Sequence, residues 1–292
     1  MKKILFVNGG VREFAKRFKE SCERNKLECV SIRTHHNSVI VAGSESLKYV
    51  HLGEEIPIES FDYAFIRVKG RYTHLSSLLT YILEHYGVPY NDVSNLEHTM
   101  GDEKITQMVR LSLEKMPIPK TLIFSTQSFK KNRDFILKET TFPCVLKTNG
   151  SKGQNVWKIQ NLSDLEKQIG QIDQELMIIQ EFIPNTYDIR ALFFDGQLLG
   201  AIERSSQDGF YNNASKGGNL KEAELSAEEI RLSKKACQIL EVDFGGVDFV
   251  RTDKGILFFE INKGPQVYGL ESATGLDIPD FLVQKIKKRL GR

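Results

Sequence analysis

The sequence predicts an α/β protein that begins with a small doubly wound unit and continues as an α+β arrangement. Up to residue 94, short apolar runs alternate with amphipathic helical segments, which is typical of a parallel sheet with helices on both faces. After residue 95, β-branched and aromatic runs are joined by short turns with glycine, which indicates antiparallel hairpins. Two Ser-x-x-Glu sequences, Ser163–Glu166 and Ser226–Glu229, predict helix starts between these strands.

The first unit covers residues 1–94. Its predicted elements are the strands Ile4–Asn8, Leu27–Ile32, Val39–Ala42 and Phe61–Val68 and the helices Val11–Asn25 and Leu75–Tyr86. Phe14 and Phe18 are four residues apart and therefore share one face of the first helix. The Gly9-Gly10 pair after the first strand is not part of a GxGxxG sequence, so a dinucleotide site is not expected there.

The second unit covers residues 95–182 and mixes helices with antiparallel strands. Its predicted elements are the helix Glu103–Met116, the strands Lys120–Ser125, Phe142–Thr148, Asn155–Ile159 and Leu176–Phe182, and a helix from Ser163 to Ile172. The first helix stops before Pro117 and Pro119, because proline lacks the N–H that a continuing helix needs.

The third unit covers residues 183–292. Its predicted elements are the hairpin strands Asp188–Phe194 and Leu198–Arg204, the helix Ser226–Leu240, the hairpin strands Val247–Arg251 and Ile256–Ile261, and a last helix from Ile278. Pro279 suits the first turn of that last helix, where its missing N–H costs nothing.

Composition excludes several classes of function. A formal net charge of +2, with basic and acidic residues interspersed, gives no electrostatic ground for a nucleic-acid or membrane partner. The four cysteines lack CxxC spacing and no apolar run reaches membrane-spanning length, so a cytoplasmic protein is expected. All six histidines precede residue 100, which excludes a Ser-His-Asp triad in the last two-thirds of the chain. A homo-oligomer is left open.

The last hairpin carries the strongest chemical signal. If Asp253–Gly255 form a three-residue loop closed by a glycine bulge, Thr252 pairs with Ile256 and Val250 pairs with Phe258. Continuing the count, the next pair away from the turn brings two carboxylates face to face.

These carboxylates belong to Asp248 and Glu260, and the two-residue period of a strand places Asn262 on the same face. Two opposed carboxylates repel unless a cation or a shared proton lies between them. Oxygen ligands of this kind suit a hard ion such as Mg²⁺. The alternative is an amphipathic hairpin whose polar face meets solvent.

A polar glycine loop between two strands is a candidate phosphate site. Its small residues Gly150, Ser151 and Gly153 allow backbone N–H groups to approach an anion, and Lys147 on the preceding strand adds a positive charge. The alternative is a flexible loop beside an exposed lysine.

The segment Gln180–Asn185 ends a buried strand and can offer backbone groups to a flat heterocycle, with Asp188 placed to accept from ribose hydroxyls. A plain strand end followed by a turn is the alternative. Arg190 and Arg204 flank a glycine-rich polar stretch, and their planar guanidinium groups match phosphate or carboxylate. Taken singly, each is as expected for a surface ion pair.

In this order, the motifs resemble the ATP-grasp superfamily, and most closely its ribosomal-protein glutamate ligase (RimK-type) branch. The motifs are Glu103-Lys104, Lys147 with its glycine loop, Gln180-Glu-Phe182, Asp188-Ile-Arg190, Gly246-Val-Asp248 and Glu260-Ile-Asn262. The segment Glu260–Ile278 is similar to that branch almost position by position, and the resemblance covers residues 88–290.

The resemblance implies an ATP-grasp fold, in which residues 95–182 and 183–292 form two subdomains that clamp ATP. It implies phosphate contacts from Lys104, Lys147, Gly150, Ser151 and Gly153, adenine contacts from Glu181, Phe182 and Ile183, a ribose contact from Asp188, and triphosphate contacts from Tyr211, Asn212 and Asn213. It also implies that Asp248, Glu260 and Asn262 hold two Mg²⁺ ions, for which Mn²⁺ can substitute, with Glu260 bridging. Arg190 and Arg204 are then the candidates for stabilising the transferred phosphoryl group and the tetrahedral intermediate.

The implied activity is that of an ATP-dependent carboxylate–amine ligase, which forms an amide or peptide bond through an acyl phosphate and releases ADP and phosphate. Amino acids or peptides are the expected substrates. The alternatives are an ATP-grasp kinase acting on a small-molecule hydroxyl and a non-catalytic ATP-binding regulator. The sequence departs from the branch at Lys263-Gly264, at Tyr211 and Ser215, and at Gln266–Tyr268. The identity of the substrate is therefore expected to depend on the turn Lys263–Tyr268.

Overall fold

The computed structural model describes residues 1–9, 11–33, 38–43, 46–67, 73–92, 103–148, 156–172, 176–205 and 219–291. Within these ranges the strands form four sheets, one parallel and three antiparallel.

The N-terminal part of the chain is built on a three-stranded parallel sheet with strand order β2-β1-β6. In chain order its elements are β1 (Lys3–Asn8), α1 (Arg12–Arg24), β2 (Glu28–Ile32), β3 (Ser38–Gly43), β4 (Ser46–His51), β5 (Glu54–Ile56), a 3-10 turn at Ile58–Ser60, β6 (Tyr63–Arg67) and α2 (Thr73–His85). Ile4 and Phe6 of β1 pack with α1, whereas Leu5 and Val7 pack with α2 on the opposite face. This arrangement confirms the predicted doubly wound unit.

The predicted strand Val39–Ala42 is present as β3, but it lies in a separate antiparallel sheet with β4 and β5. The sequence analysis did not predict β4 or β5. They are joined by a two-residue turn in which Leu52 and Gly53 both have positive φ, 54° and 83°. A leucine in that conformation is uncommon, which is why the turn leaves little trace in the sequence.

The middle of the chain forms a four-stranded antiparallel sheet with strand order β7-β10-β8-β9. Its elements are α3 (Glu103–Leu113), β7 (Thr121–Phe124), α4 (Thr126–Lys131), α5 (Arg133–Glu139), β8 (Cys144–Thr148), β9 (Val156–Ile159), α6 (Leu162–Ile169) and β10 (Met177–Glu181). The predicted capping box at Ser163 is wrong. Helix α6 begins one residue earlier, and Asn161 caps it by accepting a hydrogen bond from the backbone N–H of Asp164 at 3.0 Å.

The C-terminal part forms a five-stranded antiparallel sheet with strand order β13-β12-β11-β14-β15. Its elements are β11 (Tyr187–Phe194), β12 (Gln197–Ser205), β13 (Asn219–Glu222), α7 (Ala227–Ile239), β14 (Phe244–Thr252), β15 (Gly255–Lys263), α8 (Tyr268–Thr274) and α9 (Ile278–Leu290). The predicted capping box of Ser226 and Glu229 is confirmed, with both reciprocal hydrogen bonds present. Strand β13 and the short helices α4, α5 and α8 were not predicted.

The cores join parts of the chain that are distant in sequence. One core combines β1, α1 and β6 with Phe194, Phe244 and the last helix, α9. A second packs Met108 and Leu111 of α3 against the five-stranded sheet. The parallel sheet and helix α3 therefore both pack against the C-terminal sheet. The division of the chain at residues 94 and 182 stays a prediction.

Within the described ranges, no helix combines the length and the hydropathy needed to span a bilayer.

Candidate functional site

The hairpin β14–β15 is tighter than the sequence analysis predicted. Thr252 pairs with Gly255 across a two-residue turn, and Gly255 takes the expected positive φ, 113°. The predicted pairs Thr252–Ile256 and Val250–Phe258 are therefore wrong, because each is shifted by one residue.

A bulge farther along the hairpin restores the predicted carboxylate pair. The register shifts between Asp248 and Phe249, and beyond this point Asp248 lies opposite Glu260 as predicted. Asn262 lies opposite Gly246, and its amide nitrogen is 3.3 Å from Oδ2 of Asp248. Two carboxylates and one amide thus gather at one end of the hairpin.

Two arginines enclose Asp248. Arg190 donates from Nε to Oδ1 at 2.7 Å and from Nη2 to Oδ2 at 2.5 Å, in the forked geometry typical of arginine. Arg204 lies 3.1 Å from the same Oδ2 and donates from Nε to Asp188 at 2.6 Å. The strand register explains the cluster, since Arg190 of β11 pairs with Asp248 of β14 and Asp188 of β11 pairs with Arg204 of β12.

Burial and charge act against each other in this cluster. Burial disfavours ionisation of Asp248, but the charges of Arg190 and Arg204 outweigh it and hold its pKa below the usual range. For Asp188, burial dominates over the nearby Arg204 and raises the pKa to about 6. The two arginines therefore hold the pKa of Asp248 low, whereas burial holds the pKa of Asp188 high.

A second pair of cations lies on the other side of Glu260. Lys104 of α3 is 3.8 Å from a carboxylate oxygen of Glu260. Lys147 of β8 donates to the side-chain oxygen of Gln180 at 2.5 Å and lies 5.7 Å from the ring centre of Phe259. Burial and the charge of Lys104 lower the pKa of Lys147 to about 8, although Glu260 opposes this. The site is therefore rich in positive charge, as a site for phosphate groups requires.

The hinge at the end of β10 is partly bonded to a neighbouring segment, and its role as a heterocycle site stays a prediction. The backbone N–H of Glu181 is already bonded to the carbonyl of Lys120 at 3.0 Å, so it is not free for a heterocycle. The ring of Phe182 lies 4.0 Å from the ammonium nitrogen of Lys158. Ile183 is half-buried just beyond. A cavity of about 500 Å³ adjoins this hinge, lined by Lys158, Phe182, Pro184, Asn185, Thr186, Tyr187 and Arg251.

The chain matches the family model of the RimK-like ATP-grasp domain over residues 101–286. It belongs to this family. As a member, it is an ATP-dependent ligase that forms carbon–nitrogen bonds. The resemblance stated from the motifs is thus confirmed.

Two relatives show how far the similarity extends. A probable alpha-L-glutamate ligase of Cellvibrio japonicus is 31% identical over 255 residues, which cover 84% of this chain and 81% of that protein. Another from Shewanella pealeana is 28% identical over 244 residues, which cover 80% of this chain and 52% of that protein. The RimK-like chain therefore spans about half the length of the second relative.

The structure is also similar to that of the ATP-grasp ligase PsnB, solved in complex with a minimal precursor, Mg and ADP. The TM-score is 0.72 at 15% identity, covering 99% of this chain and 98% of that chain. A complex of PsnB with the precursor peptide PsnA2 and AMPPNP gives a TM-score of 0.71 at the same identity. At this identity the similarity establishes the ATP-grasp fold.

Several predicted site residues of this RimK-like ligase lie outside the described residues. They are Gly150, Ser151, Gly153, Tyr211, Asn212 and Asn213. The others converge around Asp248 and Glu260, except for the hinge residues that follow β10.

The sequence analysis missed the side-chain roles of three buried polar residues of the RimK-like domain and the N-terminal unit that it contacts. Gln107 bonds to both backbone groups of Ile261, and Gln180 accepts from Lys147. Arg67 donates to the carbonyl oxygen of Pro265. The signal available in the sequence was a long polar side chain within an otherwise apolar run, as in Tyr63–Arg67.

Proposed function

We propose that the enzyme phosphorylates a carboxylate of an amino acid or peptide with ATP and then joins the resulting acyl phosphate to an amine. The observation that carries this proposal is the set of four cations near the opposed carboxylates of Asp248 and Glu260. Lys104, Arg190 and Arg204 lie within 4 Å of these carboxylates, and the charge of Glu260 acts on Lys147. Such a set of charges can neutralise phosphate groups and a charged intermediate without a covalent protein nucleophile.

ATP is proposed to lie between the four-stranded and five-stranded sheets. Lys104 and Lys147 are the proposed phosphate contacts. Both come from outside the hairpin, Lys104 lies 3.8 Å from Glu260, and the charge of Glu260 acts on Lys147. The remaining contacts rest on the resemblance. They are Gly150, Ser151 and Gly153 for phosphates, Glu181, Phe182 and Ile183 for adenine, Asp188 for ribose, and Tyr211, Asn212 and Asn213 for the triphosphate.

Asp248, Glu260 and Asn262 are proposed to hold two Mg²⁺ ions, which Mn²⁺ can replace. Their chemistry fits, since all three carry oxygen atoms and converge at one end of the hairpin. Among the described residues, no three acidic, histidine or cysteine side chains are placed so that together they could hold a metal ion. When bound, Mg²⁺ supplies positive charge that neutralises the phosphate oxygens.

The two arginines of the cluster have a proposed double role. They hold the Asp248 carboxylate ionised, as its lowered pKa shows. They also present guanidinium charge beside the place where phosphoryl transfer is proposed, where it stabilises the transferred group and the tetrahedral intermediate.

The relatives and the structural neighbour support the proposed substrate class. Relatives are named probable alpha-L-glutamate ligases, and PsnB binds a precursor peptide. An amino acid joined to a peptide or small carboxylate is therefore proposed, with the choice depending on the turn Lys263–Tyr268.

All four cysteines are free thiols, which agrees with the proposed location in the cytoplasm.

The decisive experiment measures ADP formation with pools of carboxylates and amines, supplied together and separately. A ligase forms ADP and releases phosphate only when both partners are present, whereas a kinase forms ADP by transferring the phosphoryl group to a hydroxyl and releases no phosphate. Glu260→Gln is expected to abolish Mg²⁺-dependent ADP formation in a folded protein, and Glu241→Gln, in an exposed ion pair with Arg110, serves as the control. Undiminished ADP formation by Glu260→Gln contradicts the assigned site.

Glu260 is a better test position than Asp248. The Glu260 side chain is 31% exposed and lies 3.8 Å from Lys104, so its removal leaves no tightly bound partner buried. Removing the Asp248 carboxylate leaves Arg190 and Arg204 buried with less counter-charge, which costs roughly 3–5 kcal/mol and confuses stability with function.

A further inference from the structure

Arg67 is a buried cation with incomplete hydrogen bonding. It is the last residue of β6 and only 4% exposed. One guanidinium nitrogen donates to the carbonyl oxygen of Pro265 at 2.9 Å, and the guanidinium carbon lies 4.1 Å from the ring centre of Phe14. The Nε–H group is buried and has no hydrogen-bond partner among the residues that the structure describes. A native protein rarely leaves such a donor unused.

No carboxylate in the described part of the chain lies within ion-pair distance of Arg67. Among these residues, the carboxylate whose charge acts on its pKa is Glu271. Glu271 is already engaged by Arg17, which donates to its two oxygens at 3.0 and 2.7 Å. Burial lowers the pKa of Arg67 to about 10, so the guanidinium group is still charged at neutral pH. A buried charge without a partner is costly, and groups perturbed in this way cluster at functional sites.

The position of Arg67 is one where ligands bind. It lies at the carboxyl end of a parallel sheet, the edge at which open α/β folds bind their ligands. The turn that follows β15 lies against it. A methyl group added at Gly264, which has a positive φ of 53°, would lie 3.3 Å from Cγ of Arg67.

Contacts continue from Arg67 to the cation cluster. A methyl group added at Gly246 would lie 2.8 Å from Cβ of Pro265 and 3.7 Å from Cδ of Arg190. Pro265, which accepts from Arg67, is thus separated from Arg190 by a single glycine. The unused donor of Arg67 therefore lies at the border between the N-terminal sheet and the place proposed for acyl transfer.

From these contacts we infer that Arg67 binds a carboxylate group of the amino-acid or peptide substrate and thereby selects acidic substrates. The inference rests on the proposed function, because that function places the substrate near Arg67. The lack of a counter-charge for Arg67 is independent of the proposed function. The competing explanation is a purely structural role, in which Arg67 holds β6 against the turn after β15. The two explanations differ in what removal of the charge does to stability.

The test uses Arg67→Met, which keeps the apolar stem and removes the charge, and Arg17→Met as the matched control. Arg17 also joins the N-terminal unit to the C-terminal segment, but both terminal nitrogens of its guanidinium group donate to carboxylates of Glu271 and Asp277. Binding of L-glutamate, L-glutamine and L-isoglutamine is measured by calorimetry in the presence of ADP and Mg²⁺, together with the melting temperature of each protein.

Wild type is expected to bind L-glutamate and one of the two amides at least about tenfold more tightly than the other amide. Arg67→Met is expected to bind L-glutamate about tenfold to a hundredfold more weakly and to lose the discrimination between amides, with a melting temperature at or above that of wild type. Arg17→Met is expected to melt at a lower temperature and to bind all three probes as wild type does. Arg67→Lys keeps the positive charge but lacks the planar guanidinium group. It is expected to bind L-glutamate more tightly than Arg67→Met and more weakly than wild type.

Unchanged affinity in Arg67→Met, or a wild-type protein that binds none of the three probes, overturns the inference. If the melting temperature of Arg67→Met falls more than that of Arg17→Met while the probe affinities stay unchanged, the role of Arg67 is purely structural. The proposed function fails separately, by absence of ADP formation with every carboxylate and amine pool. In that event, the binding measurements still decide the role of Arg67.

Discussion

Gln107 and Ile261 exchange two hydrogen bonds across 154 residues of sequence. The side-chain nitrogen of Gln107 donates to the carbonyl of Ile261 at 2.8 Å, and the N–H of Ile261 donates to the side-chain oxygen at 2.9 Å. Because β15 is at the edge of its sheet, this amide supplies the pairing that a further strand would give. Lys104 lies three residues earlier on the same face of α3, so the amide also aligns Lys104 with Glu260.

Gln107→Leu is expected to lower the free energy of unfolding by about 1–3 kcal/mol, because both backbone groups of Ile261 lose their buried partner. ATP binding is expected to weaken as well, since Lys104 loses its fixed position. Urea denaturation and nucleotide titration measure the two effects. Thr106→Ala, at an exposed position of the same helix, serves as the control. A variant with lowered stability and unchanged ATP affinity would separate the amide from the site.

The affinity for ATP is expected to fall as the pH rises above about 8, where the lowered pKa of Lys147 lies. Above its pKa the lysine is neutral in the free enzyme, and binding of phosphate then requires uptake of a proton. Lys147→Met is expected to bind ATP about tenfold to a hundredfold more weakly and without this pH dependence. Titrations between pH 7 and pH 9.5 test both statements, with the exposed Lys167→Met as the control. Equal pH dependence in wild type and Lys147→Met would contradict the prediction.

The opposed carboxylates illustrate what the sequence reveals and what it hides. Alternation of apolar and polar residues places Asp248 and Glu260 on the polar face, and this holds in the structure. Their pairing was predicted through two errors of one residue that cancel. The turn at Thr252 is one residue shorter than predicted, and the bulge beside Phe249 adds one residue back. A bulge has no fixed composition, so the sequence alone does not locate it.

The polar residues that hold the site together were not predicted from the sequence, for a different reason. Gln107 and Arg67 bond to backbone atoms of Ile261 and Pro265, which are 154 and 198 residues away. A backbone partner leaves no complementary charge or motif to recognise. Arg190 and Arg204 were found because they flank a glycine-rich polar stretch and because a guanidinium group matches phosphate or carboxylate.

Gly246→Ala is expected to disturb substrate binding more than ATP binding. The added methyl group would lie 2.8 Å from Cβ of Pro265, so the turn that carries Pro265 must move. Such overpacking costs about 1–3 kcal/mol of stability. Initial-rate kinetics are expected to show a raised KM for the carboxylate or amine substrate and a KM for ATP within about twofold of wild type. Gly291→Ala, whose nearest contact is an ordinary 3.6 Å, is the control. Equal changes in both KM values would show that the turn is not specific to the substrate.

Asp92 joins the N-terminal unit to the start of β14. Its Oδ1 accepts from the N–H groups of Asp243 and Phe244 at 2.6 and 2.9 Å, and its Oδ2 accepts from the side chain of Asn91 at 2.7 Å. Burial raises the pKa of Asp92 to about 7, although the bond from Phe244 opposes the shift and the charge of Asp243 adds to it. The folded protein therefore binds a proton that the unfolded chain, with an ordinary aspartate, releases near pH 4.

The sign of the pH dependence follows from this raised pKa. The contribution of Asp92 to stability is complete below about pH 4 and is lost as the pH rises through about 7. The difference in unfolding free energy between wild type and Asp92→Asn is therefore expected to change in favour of wild type by about 2–3 kcal/mol from pH 8 to pH 5. Urea denaturation across this range measures the difference, and Asp134→Asn, whose side chain is fully exposed, is expected to follow wild type throughout.

Asp243 also has a raised pKa and titrates in the same direction, but it is present in both proteins and its effect largely cancels in the difference. Parallel stability curves for wild type and Asp92→Asn would show that Asp92 stays ionised in the folded protein and that its three donors outweigh its burial.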